Sequence, residues 1–162
     1  LFLYLYLYFL PIVIKECYGS FGQQVYLAES YEEAIEIVTN TNEPLIFQEF
    51  IAESKGKDIR INMVGNQAVA SMLRYNNNDF RANITNGGSM KNYTPTEEEI
   101  AVAQKVCKAL NLDFGGVDIL FGKNGPIVCE VNSNAHFKNI FDCTGVNVAD
   151  YIGEYIEKCV VG

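Results

Sequence analysis

Two short alternating runs in the C-terminal half constrain the fold of this chain more than any other feature. The first is Gly-Val-Asp-Ile-Leu-Phe-Gly at 116–122, and the second is Pro-Ile-Val-Cys-Glu-Val-Asn at 126–132. Both have the period of two that is typical of β-strands, and the Lys-Asn-Gly sequence at 123–125 is typical of a turn. The pattern therefore predicts an antiparallel β-hairpin.

The length of the turn decides which side chains of this hairpin share a face, because a shift of one residue moves them to the opposite face. A three-residue loop over 123–125 places Asp118 opposite Glu130 and Asn132 on the same face. A two-residue turn over 124–125 would place the two carboxylates on different faces. Burial favours the longer loop, because the other face is then wholly apolar and consists of Val117, Ile119, Phe121, Ile127, Cys129 and Val131.

Two carboxylates and a carboxamide on one face are hard oxygen ligands. Such ligands suit Mg²⁺ or Mn²⁺, with water and phosphate oxygens completing the coordination. The predicted metal ligands are Asp118, Glu130 and Asn132. Acidic residues are also common on sheet surfaces that bind no metal, so the spacing alone leaves both readings open.

Composition excludes some function classes. The 162 residues carry a net charge of −8, which argues against a general grip on nucleic acid but permits a local phosphate site. The five cysteines form no Cys-x-x-Cys pair, and we interpret them as reduced thiols of a cytoplasmic protein. His136 is the single histidine, and no Ser–His or Cys–His arrangement stands out.

The rest of the chain contains short strand-like runs and helical segments. Predicted strands lie at 11–15, 25–27, 45–51, 59–64 and 68–73. Three helices are predicted: Ser30 and Thr94 cap the first two, where Glu33 and Glu97 close capping boxes, and the third runs from Asn147 to about Val160. Residues 74–93 are rich in Asn and Gly and predict a long surface loop that contains Arg74 and Arg81.

The first ten residues alternate Leu or Phe with Tyr almost throughout and match none of these patterns. The apolar run continues to Ile14 only across Pro11, which is shorter than the roughly 20 residues of a membrane-spanning helix. We interpret it as a damaged or artificial end and expect the chain to be a fragment that lacks its N-terminal portion.

Taken in order, eight short segments resemble the ATP-grasp superfamily, and specifically its ribosomal-protein glutamate ligase (RimK-like) branch. They are Pro-Ile-Val-Ile-Lys (11–15), Gly-Ser-Phe-Gly (19–22), Gln-Glu-Phe-Ile (48–51), Gly-Lys-Asp-Ile-Arg (56–60), Asp-Phe-Arg-Ala-Asn (79–83), Gly-Gly (87–88), Gly-Val-Asp-Ile-Leu (116–120) and Glu-Val-Asn-Ser (130–133). The resemblance covers about residues 11–160. It implies a nucleotide held between a small lobe, 1–48, incomplete at its N-terminus, and a large lobe, 49–162, which carries the metal site. Each lobe would have an antiparallel sheet flanked by helices, so the implied fold class is α+β.

The resemblance also implies a role for each matching residue. Lys15 would contact the phosphates of ATP, and the loop with Gly19, Ser20 and Gly22 would close over them. The hinge would read the adenine edge and consists of Gln48, Glu49, Phe50 and Ile51. Asp58 would hold the sugar side, and the phosphates would meet Arg81, Ala82 and Asn83. Arg81 and Arg74 are the implied catalytic residues. Two Mg²⁺ (or Mn²⁺) ions would be held by Asp118, Glu130 and Asn132, with Glu130 bridging them.

The implied activity is ATP-dependent amide-bond formation between a carboxylate, activated as an acylphosphate, and an amino acid such as glutamate. The implied partners are ATP, an amino acid and a carboxylate on a peptide, protein or metabolite, without nucleic acid or membrane; a homo-oligomer stays open. One alternative stays open, a truncated nucleotide-binding fragment without ligase activity of its own. Another, a structural domain without metal, is disfavoured by the matching set of Asp118, Glu130, Asn132, Lys15 and Arg81. The Asn-Ala-His sequence at 134–136 departs from the Pro-containing turn of many relatives, so the resemblance does not identify the substrate.

Overall fold

Two antiparallel sheets, one of three strands and one of five, organise the computed structural model, which describes residues 10–19 and 22–161 without the side chain of residue 161. Helices accompany both sheets, so the predicted α+β class is confirmed. The unusual run at 1–9 and Ser20 lie outside the described residues. None of the helices described has the length and apolar character needed to cross a bilayer.

The smaller sheet has the strand order β2–β1–β3. Its strands are β1 (Ile12–Glu16), β2 (Val25–Ala28) and β3 (Leu45–Glu49), and helix α1 (Tyr31–Thr39) packs on β1 and β2. The predicted cap of α1 is confirmed, because the Ser30 hydroxyl accepts a hydrogen bond from the Glu33 amide at 3.2 Å. Its core consists of Ile12, Ile14, Ala28 and Ala34.

The larger sheet has the strand order β6–β5–β4–β7–β8. Its strands are β4 (Lys57–Val64), β5 (Gln67–Tyr75), β6 (Ser89–Asn92), β7 (Phe114–Gly122) and β8 (Gly125–Asn132). The helices on it are α2 (Glu97–Ala109), α3 (Lys138–Thr144) and α4 (Val148–Val161). Short 3₁₀ turns lie at Ala52–Ser54 and Ile84–Asn86.

Helix α2 packs on one face of the larger sheet, and helices α3 and α4 pack on part of the other face. Helix α2 packs on β4, β7 and β8, and the core there consists of Ile59, Ile61, Met63, Ala103, Cys107, Val117 and Ile119. On the opposite face, α3 and α4 pack on β4, β5 and β6, and the buried residues are Val64, Ala70, Met72, Ile140 and Val148. The remaining part of this second face meets the smaller sheet, and its side chains include buried charges.

The β7–β8 hairpin confirms the predicted pairing of the carboxylates but not the predicted turn. Gly122 pairs with Gly125, so the turn has two residues, and the three-residue loop was wrong. A β-bulge then shifts the register, so that Asp118 still lies opposite Glu130. Cys129 is the extra residue; it lines the cleft between the sheets, so its predicted place on the apolar face was also wrong.

The structure also corrects the start of one helix, the extent of a predicted loop and the number of helices. Helix α2 begins two residues later than predicted, because Thr96 forms the capping box with Glu99. Thr94 and Glu97 have the same three-residue spacing as Thr96 and Glu99, so the sequence offers two possible capping boxes. The predicted cap Thr94 lies outside the helix. The predicted loop at 74–93 contains the end of β5 and all of β6, and helix α3 was missed.

Candidate functional site

A cleft of about 530 Å³ lies between the two sheets and collects most of the predicted site residues. It is lined by Lys15, Gly19, Gly22, Gln48, Glu49, Phe50, Ile51, Asp58, Arg74, Arg81, Ala82, Asn83, Asp118 and Glu130, among others. Asn132 lies on β8 beyond this lining, opposite Gly116. Residues that are distant in sequence and on different sheets therefore face one space of ligand size.

Lys15 reaches across the cleft from the smaller sheet. It lies on β1 between Val25 of β2 and Ile46 of β3. Its ammonium group donates a hydrogen bond to the Cys129 sulfur of β8 at 3.6 Å. A cation on one sheet thus lies beside the acidic strand of the other.

The glycine turn after β1 packs closely on the loop between β5 and β6. Gly22 has φ +72°, and a Cβ there would lie 2.6 Å from the Asn83 side-chain oxygen. A guanidinium nitrogen of Arg81 donates to the Gly22 carbonyl at 2.7 Å and to the Val25 carbonyl at 3.3 Å. This position therefore needs glycine for both its backbone conformation and its contact.

Arg81 is held in place by a carboxylate of its own loop. Its Nε and a terminal nitrogen donate to the two oxygens of Asp79 at 3.0 and 2.7 Å. The hydrogen bonds from Arg81 lower the pKa of the Asp79 carboxyl and raise the pKa of Arg81 itself. The bidentate pair leaves the remaining guanidinium nitrogen to join this loop to the smaller sheet.

The predicted hinge at 48–51 forms one wall of the cleft. Gln48 and Glu49 end β3, where they pair with Val13 and Ile12 of β1. Phe50 contacts the Phe80 ring edge to face, with centroids 6.5 Å apart. Backbone at the end of a strand, beside aromatic rings, is suited to a flat apolar ligand.

Four charged residues form a network at the floor of the cleft. Arg74 donates to both Asp58 oxygens at 2.6 and 2.7 Å and forms an ion pair with Asp118 at 2.9 Å. Arg60 donates to both oxygens of Asp118, each at 2.7 Å. Burial favours the neutral form of Asp118, but Arg74 and Arg60 outweigh it and lower the pKa of this carboxyl. Two cations and two anions thus balance inside the protein, where an unpaired charge would be costly.

The sequence interpretation missed Arg60 and misplaced Arg74. Arg74 is buried on β5 directly opposite Asp58, whereas the sequence predicted a cation in a surface loop. Arg60 lies within the Gly-Lys-Asp-Ile-Arg segment at 56–60, two residues after Asp58. The alternation of a strand places both side chains on one face, which is the signal that could have identified Arg60.

The predicted metal ligands differ in how accessible they are. Asp118 is only 4% exposed, whereas Glu130 is exposed and makes no hydrogen bond or ion pair within the described chain. Asn132 shares the face of Glu130, and its amide nitrogen is buried without a hydrogen-bond partner among the residues described. No group of three His, Cys, Asp or Glu side chains in the described ranges is placed to hold a metal. The set of two carboxylates and an amide suits Mg²⁺ chemically, provided that Asp118 releases an arginine.

Comparison with known proteins identifies the family. Residues 3–156 match the RimK-like ATP-grasp domain, and the chain belongs to this family. It is 43% identical over 152 residues to a probable alpha-L-glutamate ligase of Vibrio atlanticus, an alignment that covers 91% of this chain and 50% of that protein. The chain thus spans about half the length of the curated relatives it matches.

Solved structures agree on the fold. The D-alanine–D-alanine ligase of Bacillus anthracis aligns with a TM-score of 0.73 at 16% identity, covering 97% of this chain and 57% of that one. The ATP-grasp ligase PsnB, in a structure with its minimal precursor, Mg and ADP, aligns with a TM-score of 0.68 at 19% identity, covering 91% and 46%. The predicted ATP-grasp fold is therefore confirmed.

Proposed function

We propose that this chain is the nucleotide- and metal-binding part of an ATP-dependent ligase that joins a carboxylate to an amino acid such as glutamate. One observation carries the proposal: Lys15 and Arg81 line the same cleft as the carboxylates Asp118 and Glu130. The cations suit the phosphates of ATP, and the carboxylates suit Mg²⁺ or Mn²⁺. The names of the curated relatives and the Mg and ADP bound to PsnB support the same reading.

The proposed reaction has two steps. A carboxylate oxygen of the substrate attacks the γ-phosphorus of ATP, which forms an acylphosphate and releases ADP. The amine then attacks the acyl carbon, and phosphate leaves as the amide forms. Neither step needs a protein nucleophile, because phosphoryl transfer depends mainly on positioning and on charge stabilisation.

The residues of the cleft would divide this work. Lys15 and the turn with Gly19, Ser20 and Gly22 would bind the phosphates, together with Arg81, Ala82 and Asn83. Gln48, Glu49, Phe50 and Ile51 would hold the base, and Asp58 the sugar side. Arg81 and Arg74 would stabilise the charge that develops during transfer.

We propose that Asp118, Glu130 and Asn132 would hold the divalent ions, two in number. When bound, the ions would supply positive charge to the phosphates. The position of Glu130 supports this assignment. Glu130 is exposed, lines the cleft and lies opposite Asp118 on the neighbouring strand.

Further proposals concern the setting of the site. We propose a small lobe at 1–48 and a large lobe at 49–162, because β3 ends at Glu49 and the larger sheet begins at Lys57. All five cysteines are free thiols, which supports a cytoplasmic protein. The proposed partners are ATP, an amino acid and a carboxylate substrate. Whether the chain forms a homo-oligomer is left to measurement.

Thermal unfolding tests the nucleotide site. ATP with Mg²⁺ should raise the melting temperature, and ATP with excess chelator should not. At a free ATP concentration of about 100 times Kd, the free energy of unfolding should rise by about 2.7 kcal/mol. Lys15→Met should remove most of the effect. Lys57→Met is the matched control, because Lys57 also lines the cleft but lies over the Phe121 ring, 5.1 Å from its centroid. Equal stabilisation in chelator would contradict the metal assignment, and no stabilisation by ATP would contradict the site.

Phosphate release tests the ligase reaction. A screen of amino acids with carboxylate substrates should find a pair that releases phosphate from ATP. ATP binding without release for any pair would favour the alternative, a truncated nucleotide-binding fragment without ligase activity of its own.

A further inference from the structure

Arg60 gives its guanidinium to a single partner. Within the described chain its hydrogen bonds all go to Asp118, from Nε to one oxygen and from a terminal nitrogen to the other. We infer that Arg60 is an internal cation that exchanges with the divalent metal at Asp118: it neutralises this carboxylate and turns towards Asn62 when a metal binds. The inference rests on the proposed function, which supplies the metal.

A metal that binds Asp118 meets cations that are already in place. Both oxygens of Asp118 accept hydrogen bonds from Arg60, and one of them also forms an ion pair with Arg74. Asp118 is 4% exposed and lines the cleft, so a metal that enters from the cleft approaches a carboxylate whose charge is already neutralised. The metal and the Arg60 guanidinium are both cations, and they compete for the oxygens of this carboxylate.

Arg60 is the residue that can leave, because Arg74 has a second anchor. Arg74 is bound by both oxygens of Asp58 and makes only one contact with Asp118. The side chain of Arg74 is 6% exposed, and that of Arg60 is 16% exposed. Arg74 therefore stays with Asp58 and continues to offset part of the charge of Asp118.

A displaced guanidinium needs a new acceptor, and Asn62 offers one. Asn62 follows Arg60 by two residues on β4 and shares its face. Its side chain is 1% exposed, and its oxygen accepts no hydrogen bond from the described residues. A buried acceptor of this kind is unfavourable while it stays unpaired.

The residues next to Arg60 and Asn62 on this face are small, namely Gly116 and Ala135. Gly116 pairs with Asn62 across β4 and β7. The position that a Cβ of Gly116 would take lies 3.7 Å from both Cδ and Nε of Arg60 and 2.7 Å from the methyl group of Ala135. The Arg60 stem thus already extends over Gly116, towards the row that contains Asn62.

If Arg60 exchanges with the metal, the protein without nucleotide should bind metal weakly. Binding should become tighter when the two hydrogen bonds from Arg60 to Asp118 are removed. In the 162-residue chain, titration with Mn²⁺ alone can be followed by the electron paramagnetic resonance of the free ion. Arg60→Lys keeps the charge but loses the two-pronged hydrogen bond, and we expect it to bind Mn²⁺ about tenfold more tightly than wild type. Arg60→Met should bind at least as tightly, with its fold checked by circular dichroism.

Two controls separate exchange from a general effect of charge. Lys57→Met removes a cation that lines the cleft without contacting Asp118, and we expect a change of less than about threefold. Asn62→Leu removes the acceptor, and we expect about threefold weaker Mn²⁺ binding with Arg60 intact. Wild-type affinity in Arg60→Lys would overturn the exchange, and wild-type affinity in Asn62→Leu would overturn the role of Asn62.

The failure of this inference can be told apart from failure of the proposed function. If wild type is stabilised by ATP only with Mg²⁺ but Arg60→Lys leaves Mn²⁺ affinity unchanged, the exchange alone is wrong. If no variant binds Mn²⁺ and ATP does not stabilise wild type, the proposed nucleotide site is wrong and the exchange falls with it. The binding isotherm measures neither catalysis nor stability, so a purely structural role of Arg60 would not produce tighter binding.

Discussion

Arg74 lies directly opposite Asp58 on the neighbouring strand, and its guanidinium holds both oxygens of that carboxylate at 2.6 and 2.7 Å. The same group reaches Asp118 one strand further on, so a single buried cation links three adjacent strands of the larger sheet. The floor of the cleft is therefore positioned by charge as well as by the hydrogen bonds between strands.

Removal of this cation should be severe. Arg74→Met leaves Asp58 with no guanidinium partner and Asp118 with Arg60 alone, and we expect a loss of about 3–5 kcal/mol in the free energy of unfolding. Urea denaturation measures the change. Adding Asp58→Asn to Arg74→Met should recover part of the loss. Lys138→Met, in an exposed pair with Asp142, is the control and should cost less than about 1 kcal/mol. A similar small loss for Arg74→Met would contradict the network.

The glycine turn can be tested with a matched pair of substitutions. Gly22 and Gly87 both have positive φ, at +72° and +83°, but only at Gly22 would a Cβ contact another residue. Each Gly→Ala change should cost about 1 kcal/mol from backbone strain. Gly22→Ala should cost more, because the methyl group would meet Asn83, and should also weaken ATP binding. Equal stability losses, with ATP affinity unchanged in both variants, would contradict the role of the turn.

The Asp79–Arg81 pair should contribute a specific pH dependence. The pKa of Asp79 is lowered by Arg81, so its contribution is fully present above the unfolded pKa of about 3.9 and is lost as the pH falls through the lower pKa of the folded protein. Asp79→Asn should therefore reduce stability by about 1 kcal/mol at pH 7, and the loss should become steadily smaller as the pH falls below about 3.9. Urea midpoints across this range measure the difference. Asp142→Asn, in the exposed pair with Lys138, should show no comparable dependence.

The Cys129 thiol should report on occupancy of the cleft. It lies 3.6 Å from the Lys15 ammonium, between the two sheets, and burial raises its pKa above the usual range. ATP with Mg²⁺ should slow alkylation of Cys129 by about tenfold or more, while exposed Cys159 on α4 should react at an unchanged rate. Peptide mass spectrometry measures both sites in one sample. Equal protection of the two thiols, or none at Cys129, would show that ligand does not bind beside β8.

The sequence predicted the residues of the cleft better than it predicted their surroundings. Asp118 and Glu130 were correctly paired, but for a turn of the wrong length. The alternating pattern over 126–132 is compatible with several registers, and it does not show which position carries a bulge. Here Val128 and Val131 pack on the core while Cys129 lines the cleft, a spacing that strict alternation does not produce.

Arg74 shows why burial of charge is hard to predict from a single sequence. The residues around it from 75 to 79 are polar, so local composition indicated a surface loop. Its burial depends on Asp58 and Asp118, which lie 16 and 44 positions away and meet it only when three strands pair. Propensity and periodicity describe neighbours along the chain, whereas this network is made by neighbours across the sheet.

The two sheets have separate apolar cores, and the residues that form one core do not occur in the other. Loss of packing around Ile14 would therefore remove apolar contacts from the smaller sheet and none from the core around Ile119. Contacts across the cleft, such as those of Lys15 and Arg81, are polar and few among the described residues. A nucleotide bound between the sheets would touch both halves, and the cooperativity of unfolding would then depend on ligand concentration.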